Sequence, residues 1–138
     1  MHGDRTSAEA ARSVMGTLTD KRILVLEDEY LLAMEAADVL RELGAIVVGP
    51  AHRLDTALGL LATDAMDAAL LDVNIGGGSS RAVAERLAEL GVPFVFATGY
   101  GTHADVPAGS SIVDKPYTRE QIEAALLLLF SDDRAVLP

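Results

Sequence analysis

Lys21-Arg22-Ile23-Leu24-Val25-Leu26-Glu27-Asp28-Glu29 decides how the chain is read, because four consecutive apolar residues end abruptly in three acids. An apolar run this short, without alternation, suits a strand buried on both faces, and the acids mark where it leaves the core. The next segment places Leu32, Ala36, Val39, Leu40 and Leu43 on one helical stripe, with Gly44 as its stop. A buried strand followed by an amphipathic helix is one βα unit, and the pattern repeats. Ala45 to Gly49 reads as the second strand, and Leu54, Leu58, Leu61 and Ala62 as the second helical stripe. Ala68-Ala69-Leu70-Leu71 is the third strand, and it too runs into an acid, Asp72.

Gly76-Gly77-Gly78 reads as a flexible loop, after which Ser79 or Ser80 caps a helix that turns Val83, Leu87 and Leu90 inward. Phe94 to Ala97 forms a fourth strand and Ile112-Val113 a short fifth. Thr118 caps a last helix whose Ile122, Ala125, Leu126 and Leu129 face the sheet. Between Thr98 and Lys115 lie only sixteen residues, among them Gly99, Gly101, Pro107 and Gly109. Gly and Pro cost about 1 and 3 kcal/mol relative to Ala inside a helix, so the fourth crossover is expected as a loop or one short turn. Five βα units imply an α/β fold with a parallel sheet.

Composition sets the limits around this pattern. The chain has 138 residues, enough for one domain with a real core; half are apolar and only 4% aromatic, with no Trp. Residues 1–20 read as an extension, with Ala8 to Met15 able to form one short helix; 21–131 form the domain and 132–138 a tail. A formal charge of −10 repels phosphate backbones and anionic lipid, which argues against nucleic-acid and membrane partners. The longest apolar stretch, Ala124 to Phe130, is far short of the ~20 residues that span a bilayer. Asp4, Arg5, Glu9 and Arg12 interrupt any secretory core, and the absence of cysteine agrees with a reducing compartment, so a cytoplasmic location is expected.

In an open parallel sheet all strands end at one edge, and ligands bind in the crevice there. Strand one brings Glu27 and Asp28 to that edge, strand three Asp72, strand four Thr98, and strand five leads into Asp114-Lys115-Pro116; strand two contributes nothing. Three converging carboxylates repel one another, and a hard divalent cation relieves the repulsion. Asp72 is then a candidate nucleophile for a phosphoryl group, with Lys115 and Thr98 supplying the cation and hydroxyl that phosphoryl transfer requires. Singly, each residue has a plainer reading: the acids as helix caps, Thr98 as a turn hydroxyl, Lys115 as a surface cation. Their order along successive strand ends is what favours a joint site.

These residues resemble the receiver domains of two-component response regulators. The resemblance runs from about Lys21 to Phe130 and rests on Ile23-Leu24-Val25-Leu26-Glu27-Asp28-Glu29, Leu70-Leu71-Asp72-Val73-Asn74-Ile75, Phe96-Ala97-Thr98-Gly99 and Val113-Asp114-Lys115-Pro116. It implies a flavodoxin-like, doubly wound five-stranded sheet of order 2-1-3-4-5 with helices on both faces. It implies Asp72 as phosphoacceptor, Asp28 as a direct metal ligand, Glu27 as a ligand through water and the Asn74 carbonyl as a further ligand. The ion would be Mg²⁺, or Ca²⁺ or Mn²⁺ in the same place, and the Lys115–Pro116 bond is often cis in the family. A sensor histidine kinase would supply the phosphoryl group, and a downstream protein or phosphotransfer protein would receive the signal.

Two features depart from the common pattern. Most receivers carry a switching aromatic three positions before the lysine, where this chain has Ile112. Phe96-Ala97-Thr98-Gly99-Tyr100-Gly101 instead resembles an atypical Phe-Ala-Thr-Gly subgroup with a nearby Tyr, many of whose members are single-domain proteins. Tyr100 is expected to replace the missing aromatic, and phosphorylation to order the segment 99–110 that holds Gly99 and Gly101. Tyr100 and Asn74 would also flank the path of an attacking water and set the acyl-phosphate lifetime. Leu127, Leu128 and Phe130 lie off the buried stripe of the last helix, marking either a partner or homodimer surface or packing under a neighbouring segment. His2, His52 and His103 show no metal-ligand spacing and read as surface residues. Two other functions compete: an aspartate-nucleophile phosphatase, which typically has a second acid where Asn74 stands, and a receiver-like binding module that is never phosphorylated.

Overall fold

The computed structural model describes residues 16–76, 78–99 and 106–135, with side chains to residue 131. The short apolar runs form a five-stranded parallel sheet: β1 (Arg22–Leu26), β2 (Ile46–Ala51), β3 (Ala68–Asp72), β6 (Phe94–Thr98) and β7 (Ile112–Asp114), in the order β2-β1-β3-β6-β7. Taken as the first to fifth strands of the sheet, this is the 2-1-3-4-5 order. Between β3 and β6, where a flexible loop was expected, Asn74–Ile75 (β4) and Gly78–Ser79 (β5) pair as a two-stranded antiparallel hairpin.

Four helices, α1 (Tyr30–Glu42), α2 (Leu54–Thr63), α3 (Arg81–Glu89) and α4 (Arg119–Ala135), cover the two faces of the sheet. Strand residues alternate between them, as the period of two demands. Ile23, Val25, Ala68, Leu70, Val95 and Ala97 pack against Leu40 of α1 and Ile122, Leu126 and Leu129 of α4. Leu24, Leu26, Ala69, Leu71 and Phe96 pack against Ala57 and Leu61 of α2 and Val83, Ala84 and Leu87 of α3. Every residue of β3 is buried. Among the described residues none between β6 and β7 is helical, while 100–105 lie outside them.

The sequence reading of the helical faces needs correction in three places. The buried side of α1 keeps Ala36 and Leu40 of the expected stripe and adds Ala33 and Ala37, while Leu32 and Val39 are only half-buried. Leu58 and Ala62 of α2 are exposed, and the helix meets the sheet through Ala57 and Leu61. Small alanines let a helix axis approach the sheet closely, so the face is chosen by fit and not by the largest side chains. On α3, Leu90 likewise lies exposed at the helix end. The end of α3 expected from Ser79 or Ser80 divides the work: Arg81 N donates to Ser79 Oγ (3.0 Å), while the fully buried Ser80 donates its hydroxyl to Val73 O (3.1 Å).

Thr118 caps α4 reciprocally with Gln121: Gln121 N donates to Thr118 Oγ1 (3.1 Å) and Thr118 N to Gln121 Oε1 (2.8 Å). The helix continues to Ala135, past the start of the stretch read as a tail. At its far end Phe130 is half-buried beneath the Lys21 ammonium, 4.7 Å from the ring centroid, whereas Leu127 and Leu128 remain exposed. The boundary drawn at residue 20 runs through an ordered turn: Leu18 is fully buried, and Leu18 N and Asp20 N donate to Leu43 O and Gly44 O. The helix expected at Ala8 to Met15 lies outside the described residues.

Strand two was expected to stop at Gly49, but β2 continues to Ala51 over a bulge, where pairing shifts from Leu24 opposite Val48 to Leu26 opposite Ala51. Gly49 makes this register change at φ +97°, and a Cβ there would fall 2.6 Å from Ala51 N. The bulge brings Ala51 O within reach of Glu27 N (2.9 Å) and carries His52 to the edge where the acids gather. The Gly49–Pro50 and Lys115–Pro116 bonds are both cis.

Candidate functional site

Each central strand delivers one polar group as it leaves the core. Glu27, next after β1, and Asp72, the last residue of β3, are buried to 4% and 9% exposure, while Asp28 is open to solvent. One carboxylate oxygen from each of Glu27, Asp28 and Asp72 lies within 4.8 Å of the others. Lys115, one residue past β7, reaches back across the edge, and its Nζ stands 2.8 Å from Glu27 Oε1 and 3.0 Å from Asp72 Oδ2. The backbone clamps this reach: Lys115 N donates to Thr98 O at 2.7 Å, tying the fifth strand of the sheet to the fourth at the site.

Backbone donors hold two of the remaining oxygens. Glu29 N donates to Glu27 Oε2 (3.0 Å) and Gly76 N to Asp28 Oδ2 (3.0 Å), so the β4–β5 hairpin is pinned to the end of β1. Burial pushes the Glu27 carboxyl above its ordinary value; the bonds from Lys115 and Glu29 oppose this, and the Asp72 charge adds to it. For Lys115 burial pulls downward, but the bonds to Glu27 and Asp72 prevail and hold the ammonium above its ordinary range. Burial, assisted by the Glu27 charge, raises the neighbouring Tyr117 phenol to about 12.

One ammonium pairs with two of the three acids, so the cluster retains excess negative charge. Its donors are all hard carboxylate oxygens, and exposed Asp28 leaves it an open side, the combination that suits a small divalent cation with coordinated water. The residues present therefore fit the metal expected of the sequence.

Glu27, Asp28, Asp72 and Lys115 thus meet as the sequence reading anticipated, and Thr98 sits at the adjoining strand end. Its hydroxyl, 1% exposed with the rest of the residue, donates to Asp114 Oδ1 at 2.9 Å. Asn74 lies exposed on the hairpin two residues beyond Asp72; Ile112 is exposed on β7, and Gly99 half-buried. Tyr100 and Gly101 lie outside the described residues. Three contributors escaped the sequence reading. Gly76 offers its amide, Asp114 accepts from Thr98, and His52 donates from Nδ1 to the Glu27 carbonyl (2.9 Å) with its ring 5.5 Å from that of Tyr30. Strand two, taken to contribute nothing, supplies His52 through its bulge. Only Asp114 had a visible signal, its place directly before the lysine.

No family model matches the chain. The phyllosphere-induced regulator PhyR of Methylorubrum extorquens is 27% identical over 124 residues, 86% of this chain and 46% of that protein. The chain spans about half the length of this curated relative. Among solved structures, SdrG from Sphingomonas melonis Fr1 is 39% identical with a TM-score of 0.71, over 80% of this chain and 97% of SdrG. The receiver domain of the Erythrobacter litoralis response regulator PhyR is 27% identical with a TM-score of 0.68, over 88% of this chain and 95% of that domain. The chain is a response-regulator receiver domain. Among the described residues of this receiver no helix is long and apolar enough to cross a membrane.

Proposed function

We propose that this receiver accepts a phosphoryl group on Asp72 from a phosphohistidine of a sensor kinase, with Mg²⁺ in the acidic cluster, and reports the change to a partner protein. The observation that carries the reading is the Lys115 ammonium placed between Glu27 and Asp72 beside a third carboxylate. A carboxylate oxygen of Asp72 attacks phosphorus, the phosphorus–nitrogen bond breaks, and the imidazole nitrogen leaves with the electron pair and takes a proton. Lys115 then follows the charge from the free carboxylate to the phosphoryl oxygens, at a site where water is largely excluded and such contacts are strong. Thr98 donates its hydroxyl to another of these oxygens. Glu27, Asp28, Asp72 and the Asn74 carbonyl would hold the cation, Ca²⁺ or Mn²⁺ serving in place of Mg²⁺. When bound, the cation neutralises the phosphoryl oxygens during transfer.

Incubation with Mg²⁺ and a small phosphodonor, read by intact mass, tests this. One phosphoryl increment is expected on the wild-type chain and none on Asp72→Ala. An increment that survives the substitution, or repeated turnover of a phosphate ester, rejects it. Binding to a downstream protein or phosphotransfer protein is expected to differ between resting and beryllofluoride-loaded chains, as a pull-down would record.

A further inference from the structure

Thr98 carries one hydroxyl hydrogen, and in this structure it is committed to Asp114. Thr98 and Asp114 are paired residues on the neighbouring strands β6 and β7, so the contact is set by sheet register and not by a flexible loop. The same register holds Lys115 N on Thr98 O, which anchors both backbones while the hydroxyl hydrogen can still turn about the Cβ–Oγ1 bond. A phosphoryl group on Asp72 needs that hydrogen as well. One donor cannot serve two acceptors at full strength, so the two anions compete for it.

We infer that Asp114 is a positioning residue that holds the Thr98 hydroxyl in its resting orientation and thereby weakens the site's grip on a phosphoryl group. The inference rests on the phosphoacceptor reading of Asp72. It assigns a task to a residue that the reaction itself does not use, and it places the resting restraint on the strand where the usual aromatic is replaced by Ile112. Removal of the competitor releases the donor to the phosphoryl oxygen and should tighten phosphoryl binding by about tenfold.

The test is a double-mutant cycle on the full chain, titrating beryllofluoride in the presence of Mg²⁺ by calorimetry. Asp114→Ala is expected to bind about tenfold more tightly than wild type. Asp114→Asn, whose neutral amide oxygen still accepts but less strongly, should lie between wild type and the alanine variant, and it also guards against misfolding of that variant. In a Thr98→Val background the Asp114→Ala gain should vanish, since there is no hydroxyl to release. Equal affinities for wild type and Asp114→Ala overturn the inference. So does a gain that persists in the Thr98→Val background and appears equally in Asp114→Asn, which would make the carboxylate a source of simple repulsion. If the wild-type chain fails to bind beryllofluoride at all, the phosphoacceptor reading fails first, and the inference falls with it.

Discussion

The two ends of the central strands are built on opposite principles. At the floor, Leu18 and Leu43 are fully buried, backbone hydrogen bonds close the turn beneath the sheet, and the charges present are paired at a partly exposed rim, Arg22 with Asp64 at 3.7 Å. At the roof, Glu27, Asp72 and Lys115 stand in a nearly dry pocket whose charges do not balance. The floor is held by apolar burial with its charges paired near solvent, whereas the roof retains a repulsion that packing elsewhere must offset. A domain can carry such a roof because the strands beneath it are covered on both faces.

Perturbing each end separates the two principles. Lys115→Met should have the largest effect, since it leaves two buried carboxylates without their cation; a loss of about 3–5 kcal/mol in urea unfolding is expected in the absence of metal. Added Mg²⁺ should restore much of it, and a variant as stable as wild type would mean the roof is held by packing after all. Leu18→Ala at the floor should cost about 2–5 kcal/mol with no dependence on Mg²⁺, because it removes only buried apolar contact.

Mg²⁺ at a hundredfold excess over its dissociation constant should stabilise the wild-type chain by ~2.7 kcal/mol, and far less in Asp28→Asn. Equal stabilisation in both would place the cation elsewhere. The smallest expected effect is on the alkaline side. Between the ordinary tyrosine value of 10.0 and the folded value of about 12, the unfolded chain loses the Tyr117 proton while the folded chain keeps it. Stability present below pH 10.0 therefore declines as the pH rises through about 12, and Lys115, also held upward, acts in the same direction. Ultraviolet titration of wild type against Tyr117→Phe should remove one late-ionising phenol; a midpoint near 10 would count against its burial.

Much of this contrast was legible from residue order. Apolar runs ending in Glu27, Asp72 and Thr98 announce strands and their polar ends together, because a parallel strand exposes side chains only where it leaves the sheet. The floor was not legible, since Leu18 sits in a weakly patterned stretch and is recruited by backbone bonds, its own to Leu43 and that of Asp20 to Gly44, that no periodicity encodes. The bulge at Gly49 hid for a related reason. Gly-Pro reads as a stop, yet here it changes register and delivers His52 to the site. The alanine faces of α1 and α2 were underrated because hydrophobic size suggests burial, while close approach to a sheet rewards smallness. Gly76 contributes through its amide, a group every residue has and no motif records.

Complete burial of β3 gives the molecule an internal gauge. Deuterium can reach the amides of Leu70 and Leu71 only when the sheet as a whole comes apart, so their exchange reports the global unfolding free energy. A single isotope experiment can then register how cation, phosphoryl mimic or substitution shifts that energy, with no label attached to the protein.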